Sequence, residues 1–144
     1  MIGMEILRPV AALLAWTMVM WAWMYATRIP AINQLPKVDV PGADQGWTGA
    51  KLDALLPPRI QWIAHNYNHL HEAPTVFYAA AIVLAIVGEG DGLNAALAWV
   101  YVGLRVVHSL WQATVNRVVL RFALFALSSL ALIVLVARAA LAVF

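Results

Sequence analysis

Four long apolar segments dominate this chain of 144 residues and limit the folds that it can adopt. They cover about residues 5–28, 58–88, 92–116 and 118–143. Each is long enough to cross a bilayer, because a helix of about 20 apolar residues spans the hydrocarbon core. Hydrophobic residues make up 64% of the chain and charged residues only 11%, whereas about a quarter of a soluble domain is charged. The sequence therefore predicts an all-α integral membrane four-helix bundle surrounded by lipid.

The segment 29–57 is the one long connection between the predicted spans. It is rich in residues that break helices and form turns, namely Pro30, Pro36, Pro41, Pro57, Gly42, Gly46 and Gly49. The other two connections, at 88–92 and near Asn116-Arg117, are short. We therefore expect a single membrane domain over residues 1–144. Pro74 lies within the second span and should bend it.

The basic residues predict the orientation of the chain. They are concentrated around the long loop and the third connection, as Arg28, Lys37, Lys51, Arg59, Arg117 and Arg121. The opposite ends of the spans carry only Arg8 and Arg138. Because Lys and Arg accumulate in cytoplasmic loops, we expect a multi-pass protein with both termini outside and the long loop in the cytoplasm.

Two further properties exclude classes of function. The chain has no cysteine, which excludes disulfides, a cysteine nucleophile and cysteine-based metal sites. Its net charge is +2, with the basic residues dispersed along the chain. This pattern does not indicate a nucleic-acid partner.

Two stripes of polar side chains interrupt the second and third spans. Residues three or four apart share one face of a helix. In the second span such a set is His65, Asn68, Glu72 and Thr75, with His69 beside it, and in the third span it is Arg105, His108, Ser109, Gln112 and Asn116. Because lipid cannot hydrogen-bond to these groups, we expect the two stripes to face each other or a shared cavity.

Three charged side chains are predicted to lie at a similar depth. Measured from the helix ends nearest the second connection and the C-terminus, Glu72, Arg105 and Arg121 lie about 24, 20 and 25 Å along the helix axes. One carboxylate and two guanidinium groups at one level would form a pocket for a ligand with both carboxylate and ammonium groups. The alternative is that Glu72 and Arg105 form a structural ion pair.

The histidines of the second span raise a different hypothesis, a metal site. His65, His69 and Glu72 have the spacing H-x-x-x-H-x-x-E on one helix face, and imidazole and carboxylate groups are ligands for zinc or iron. No HExxH motif and no second histidine cluster accompany them. We therefore predict no metal site and expect polar histidines with ordinary hydrogen bonds.

Three motifs carry a resemblance to a known family. They are the stretch from Arg59 through Ala64-His65 and Asn68 to Glu72-x-Pro74, the run Arg105-Val106-Val107-His108-Ser109, and the pair Arg117 and Arg121. The first is similar to the second-helix signature of the MAPEG family, the membrane-associated proteins in eicosanoid and glutathione metabolism. The other two are similar to motifs of its prostaglandin E synthase branch. The resemblance covers almost the whole chain.

This resemblance implies a homotrimer of four-helix subunits that binds glutathione between neighbouring subunits on the cytoplasmic side. It implies a glutathione-dependent transferase or peroxidase that acts on lipophilic small molecules entering from the bilayer. Glutathione would be the co-substrate, contacted by Asn68, Glu72 and Arg105. Arg121 would be the catalytic residue that stabilises its thiolate. The further candidates for the glutathione site are Arg59, His65, Ser109, Gln112 and Arg117.

Three positions depart from the family pattern. The second arginine of the second helix is absent, because Ile63 and Ala64 stand there, and Gln112 replaces a tyrosine of the third helix. The step from Asn68 to Glu72 is longer by one residue, so either Glu72 or His71 takes the place of the family's acid. These departures support a second hypothesis, a non-catalytic membrane protein that binds another anionic or lipidic ligand in the same polar cavity.

Overall fold

The computed structural model describes residues 2–35 and 48–144, and over these ranges it contains six helices and no strand. The helices are α1 (Leu7–Asn33), α2 (Gly49–Leu55), α3 (Pro58–His69), α4 (Ala73–Ile86), α5 (Leu93–Thr114) and α6 (Val118–Val143). Four helical segments are long and apolar enough to cross a bilayer: α1, α3 together with α4, α5 and α6. The predicted all-α membrane bundle is therefore confirmed. Predictions that concern residues 36–47, including Lys37, lie outside the described residues.

Helix α5 is the centre of the bundle. It packs against α1, α3 and α6, while α6 also packs along α4 and α1 along α3. The core is formed by fully buried side chains such as Leu13, Phe77, Leu84 and Leu135. The rings of Phe77 and Tyr101 stack with their centroids 4.5 Å apart, which joins α4 to α5.

The second span is interrupted rather than bent. Helix α3 begins with Pro58 in its first turn and ends at His69, and α4 begins at Ala73. Pro74 is in the first turn of α4, so its missing N–H and the clash of its ring with the preceding turn stop the helix before it. At Glu72 the backbone leaves the helical region, with φ −94° and ψ −103°. The break therefore lies inside the predicted polar stripe.

Two parts of the segment that was predicted to be a loop are helical. Helix α1 continues through Pro30 to Asn33. The short helix α2 begins after Thr48, whose side-chain oxygen accepts a hydrogen bond from the main-chain N–H of Lys51 at 3.3 Å. A threonine at this position is a favourable N-cap, and it is the local reason why α2 starts there.

One end of the bundle holds the N-terminus, the α4–α5 turn and the end of α6. The main-chain N–H of Gly3 donates to the carbonyl of Ala85, and that of Ile6 donates to Gly90, both at 2.9 Å. Gly3 and Gly90 approach so closely that a Cβ on either would collide with the backbone of the other. The end of α1, the helix α2 and the α5–α6 turn lie at the opposite end. The assignment of that opposite end to the cytoplasm stays a prediction.

Candidate functional site

Arg105 is the most deeply buried charged residue of the polar stripes, with only 1% of its surface exposed. Its Nη2 donates a hydrogen bond to the carbonyl of His69 at 3.1 Å. Its Nε and Nη1 have no hydrogen-bond partner within residues 2–35 and 48–144. A buried cation with unused donors costs free energy, so this arginine lies in a polar interior that its protein contacts do not fully satisfy.

Ser109 connects three helices. It is completely buried, and its Oγ accepts hydrogen bonds from Asn66 Nδ2 at 2.7 Å and from Trp16 Nε1 at 3.0 Å. These bonds join α5 to α3 and to α1. The position predicted to bind glutathione thus has its oxygen occupied by two protein donors, and its evident task is to hold the bundle together.

The polar stripe of the second span does not face the stripe of α5. His65, Asn68, Glu72 and Thr75 are all exposed on the surface of the protomer, whereas Arg105, His108, Ser109 and Gln112 on α5 are buried. The expectation that the stripes face each other is therefore wrong for a single protomer. The reason is that α3 turns its other face inward, which consists of Ile63, Ala64, Asn66 and Leu70.

Asn66 is the inward polar residue that the stripe pattern missed. It is 1% exposed and hydrogen-bonds to Ser109. The sequence contains a signal for it, because Asn66 is three residues after Ile63 and four before Leu70. That spacing places it on the apolar face of α3.

A hollow between α3, α5 and α6 brings several predicted residues together, and we call it the histidine hollow. It has a volume of about 190 Å³ and is lined by His69, His108, Val118, Arg121, Phe122 and Phe125. The rings of His69 and His108 lie 6.2 Å apart, and that of Phe125 lies 6.5 Å from His108. The hollow thus has a wall with two imidazoles and a guanidinium, and an apolar wall from α6.

Arg121 is held in this position from the neighbouring turn. Its Nη1 donates to Asn116 Oδ1 at 2.7 Å. Asn116 has a φ of 53°, a left-handed conformation that asparagine tolerates better than most residues. The tight α5–α6 turn therefore orients the side chain that carries the positive charge of the hollow.

Glu72 does not line the histidine hollow, but its carboxylate contacts His69, which does. Its Oε2 lies 2.8 Å from His69 Nδ1, although the two atoms lack the alignment of a hydrogen bond. His71 instead points away, with its Nδ1 2.9 Å from the carbonyl of Tyr67. Of the two residues that the sequence left open as the acid position, Glu72 is the one beside the hollow. Glu72 and Arg105 contact His69, but of the three charged residues only Arg121 lines the hollow. The prediction that all three form one pocket is therefore wrong for the described residues of a single protomer, because the Arg105 guanidinium is directed to the main chain of His69 inside the bundle.

The remaining candidates lie elsewhere. Arg59 is exposed in the first turn of α3, and Arg117 is exposed at the start of α6. Gln112 is buried, and its Oε1 has no partner in the part of the chain that the structure describes. Its neighbourhood is the interior of the bundle rather than the histidine hollow.

His65 takes part in a network with an acid that the sequence pattern did not single out. Its Nε2 lies 3.0 Å from Asp53 Oδ2, and Arg28 Nη2 lies 3.1 Å from Asp53 Oδ1. Gln61 Nε2 also donates to the carbonyl of Asp53. Asp53 therefore ties α2 to both α1 and α3, at the end of the bundle nearest the long connection.

The metal hypothesis finds no support in this geometry. His65 contacts Asp53, whereas His69 contacts Glu72. Over residues 2–35 and 48–144, no group of three His, Asp or Glu side chains is placed to hold a metal ion.

Comparison with known proteins identifies the family. Residues 6–141 match the model of the MAPEG family. Searches among curated proteins and among solved structures each gave no significant match. The family match includes three of the four spans in full, all but the last two residues of the fourth, and every residue of the histidine hollow. The chain therefore belongs to the MAPEG family.

Proposed function

We propose that this protein is a glutathione-dependent transferase or peroxidase that acts on lipophilic electrophiles. One observation carries the proposal: the guanidinium of Arg121 and the imidazoles of His69 and His108 line one hollow whose other wall is apolar. Such a hollow has a cation for an anionic nucleophile and a lipid-like surface for its reaction partner. Membership of a family associated with glutathione supports the choice of nucleophile.

Arg121 is the proposed catalytic residue. A nearby cation lowers the pKa of a thiol, and the thiolate is the reactive nucleophile. Among the residues that the structure describes, Asn116 is the one hydrogen-bond partner of the Arg121 guanidinium, which leaves donors for the sulfur of glutathione. The thiol proton would pass to an imidazole of the hollow, and His69 is the more exposed of the two. The chain supplies no thiol of its own, because it has no cysteine.

The rest of the tripeptide would lie outside the histidine hollow. A volume of about 190 Å³ accommodates the thiol end rather than the whole molecule. The exposed stripe of α3 begins at the edge of the hollow, where Glu72 would bind the ammonium group and Asn68 a peptide group. Arg59 and Arg117 are exposed towards the same end of the bundle and would attract the carboxylates. Arg105 would act indirectly, by fixing the carbonyl of His69.

A homotrimer is part of the proposal, because the polar stripe of the second span is exposed and should be buried by another protein surface. His65, Asn68 and Glu72 are polar, exposed and carried by a span. Lipid cannot satisfy such groups, which normally face protein or a water-filled cavity at membrane depth. A neighbouring subunit over this face would enclose the ligand between two protomers.

The second substrate would enter from the bilayer. Val118, Phe122 and Phe125 form the apolar wall, and Phe122 is 68% exposed. A lipophilic electrophile could therefore reach the thiolate along α6 without crossing water. Catalysis would then come from thiolate stabilisation together with proximity of the two substrates.

A non-catalytic protein that binds another anionic or lipidic ligand is the second candidate. The observation in its favour is the burial of Arg105, whose open donors lie inside the protomer rather than in the histidine hollow. Arg121 is then the only arginine lining that hollow among the described residues. A single cation is a weaker anchor for a tripeptide with two carboxylates.

Titration of the purified protein in detergent with glutathione separates the two candidates. The ultraviolet absorbance of the thiolate should rise on binding, disappear in Arg121→Ala and persist in Arg8→Ala, which changes an exposed arginine at the opposite end of the bundle. A signal with this pattern, followed by conjugation of an apolar aryl halide or reduction of a lipid hydroperoxide, supports the enzyme. Absence of the signal at saturating glutathione contradicts it and favours the binder.

A further inference from the structure

A second hollow lies at the end of the bundle opposite the histidine hollow. It has a volume of about 240 Å³ and is lined by Leu84, Glu89, Asn94, Arg138, Leu141 and Ala142. These residues come from the end of α4, the α4–α5 turn, the start of α5 and the end of α6. We call it the terminal hollow. It shares no residue with the proposed glutathione site.

The guanidinium of Arg138 is fixed in the terminal hollow by a buried amide. Its Nε donates to Asn94 Oδ1, and Asn94 Nδ2 donates in turn to the carbonyl of Glu89 at 2.6 Å. Asn94 is only 2% exposed, so this arrangement is rigidly placed. The two terminal nitrogens of Arg138 have no hydrogen bond to any residue that the structure describes. They are available to an oxygen ligand.

The carboxylate of Glu89 is equally available. The other two acids at this end are occupied: Glu5 Oε2 accepts from the main-chain N–H of Gly92 at 3.3 Å, and Asp91 Oδ1 accepts from that of Glu5 at 2.9 Å. Within the described ranges Glu89 forms no ion pair, and in particular none with Arg138. The terminal hollow thus presents a separated cation and anion that do not neutralise each other.

The depth of these two charges matches that of lipid headgroups. Arg138 is five residues before Val143, where α6 ends, which places it about 8 Å along the axis from that end. Glu89 lies in the turn that follows α4. Deeper in the bundle the hollow is continued by the apolar side chains of Leu84 and Leu141, a surface suited to an acyl chain.

We propose that the terminal hollow binds a zwitterionic phospholipid with a primary ammonium group, of the phosphatidylethanolamine class. The phosphate is held by the terminal nitrogens of Arg138, because guanidinium groups bind phosphate oxygens through paired hydrogen bonds. The ammonium is held by Glu89, and one acyl chain lies against Leu84 and Leu141. The two-carbon bridge of the headgroup joins the opposite charges that the protein keeps apart.

This arrangement selects among lipid classes. A choline headgroup has no N–H to donate to Glu89, so it keeps its positive charge but loses the hydrogen bond to the carboxylate. An anionic glycerol headgroup keeps the contact with Arg138 but brings no cation to Glu89. Ethanolamine lipid is the class that satisfies both side chains.

Native mass spectrometry of the assembled protein in detergent tests the proposal. The protein is mixed with phosphatidylethanolamine, phosphatidylcholine and phosphatidylglycerol that have identical acyl chains. We expect retention of the ethanolamine lipid to exceed that of the other two by about fivefold, the effect of one hydrogen bond in the comparison with choline and of one interfacial charge in the comparison with glycerol. Glu89→Gln should remove the preference for ethanolamine over choline, and Arg138→Gln should lower retention of all three lipids.

The controls keep each result interpretable. Arg8→Gln changes an exposed arginine at the same end and should leave lipid retention unchanged; an equal loss in Arg8→Gln and Arg138→Gln would show only general attraction to charge and overturn the proposal. Should Arg138→Gln fail to fold because Asn94 loses its partner, Glu89→Gln still decides, since the carboxylate of Glu89 forms no ion pair with any residue that the structure describes. Equal retention of ethanolamine and choline lipids by the unmodified protein contradicts the proposal. Displacement by glycerophosphoethanolamine, which lacks acyl chains, at concentrations equal to those of the lipid would overturn the assignment to a membrane lipid.

Discussion

Arg105 on α5 donates a hydrogen bond to the main-chain carbonyl of His69 at the point where the second span stops being helical. This carbonyl ends α3, and because the helix stops before Pro74, its main-chain partner is the N–H of Glu72 at 3.4 Å. The guanidinium therefore adds a shorter hydrogen bond, at 3.1 Å, to a long backbone one. The same bond fixes the backbone that carries the His69 imidazole into the histidine hollow.

Arg105→Ala should destabilise the protein. The substitution leaves the His69 carbonyl with only its 3.4 Å hydrogen bond from the N–H of Glu72, and it opens a cavity at a position that is 1% exposed. Loss of a hydrogen bond from a charged donor costs about 2 kcal/mol, which should lower the midpoint of thermal unfolding in detergent. Arg59→Ala, at an exposed position of α3, is the matched control and should unfold like the unmodified protein. An unchanged midpoint in Arg105→Ala would show that the break in the span does not depend on this contact.

Ser109→Ala should lower the stability of the protein far more than the loss of a single hydroxyl usually does. One oxygen accepts from both Asn66 and Trp16, so its removal leaves two donors unsatisfied, each at a cost of about 1–3 kcal/mol. Ser129→Ala makes the same change on α6, where the hydroxyl only donates to the carbonyl of Phe125 four residues earlier. We expect a large drop in thermal stability for the first variant and little for the second. Comparable midpoints for the two serine variants would contradict the connecting role of Ser109.

The membrane fold could be predicted from the sequence because it depends on length and hydropathy alone. Spans of more than 20 apolar residues leave few alternatives, and the structure contains four of them. The interruption of the second span was harder to predict from the sequence. Pro74 indicated a bend, but the extent of the break at Glu72 also depends on whether another group helps to satisfy the carbonyl of His69. Here Arg105 donates to that carbonyl from a different helix.

The spacing of polar residues predicted the wrong inward face for α3. Either Asn66 or Asn68 could face the interior, and helical spacing alone grouped Asn68 with His65 and Glu72. The burial of Asn66 depends on a partner, Ser109, that is 43 positions away in sequence. Asp53 was missed for a similar reason, since its partners Arg28 and His65 come from other helices. Residues that are satisfied across helices have no local signature.

Asp53→Ala should release α2 without unfolding the bundle. The carboxylate contacts both Arg28 and His65, and α2 has no buried side chain of its own. Hydrogen exchange of the main-chain amides of residues 49–55 should therefore become faster, while exchange in α5 stays unchanged. Asp91→Ala alters an acid at the other end of the bundle and should leave α2 protected. Unaltered exchange of residues 49–55 in Asp53→Ala would show that other contacts hold α2 in place.

His69→Gln should impair removal of the thiol proton while glutathione still binds. The His69 ring lines the histidine hollow with Arg121 and can take a proton there as a general base. Loss of a general base lowers rates by about 10²–10⁴-fold, so stopped-flow absorbance should show slower thiolate formation, with the dissociation constant of glutathione changed little.

His71→Gln provides the matched comparison, because His71 is two residues away on the same turn but contacts the Tyr67 carbonyl outside the hollow. It should form thiolate at the rate of the unmodified protein. Equal rates in all three proteins would assign the proton to another acceptor, of which the buried imidazole of His108 is the nearest within the hollow. A parallel loss of binding and rate in His69→Gln would instead mean that this side chain only shapes the site.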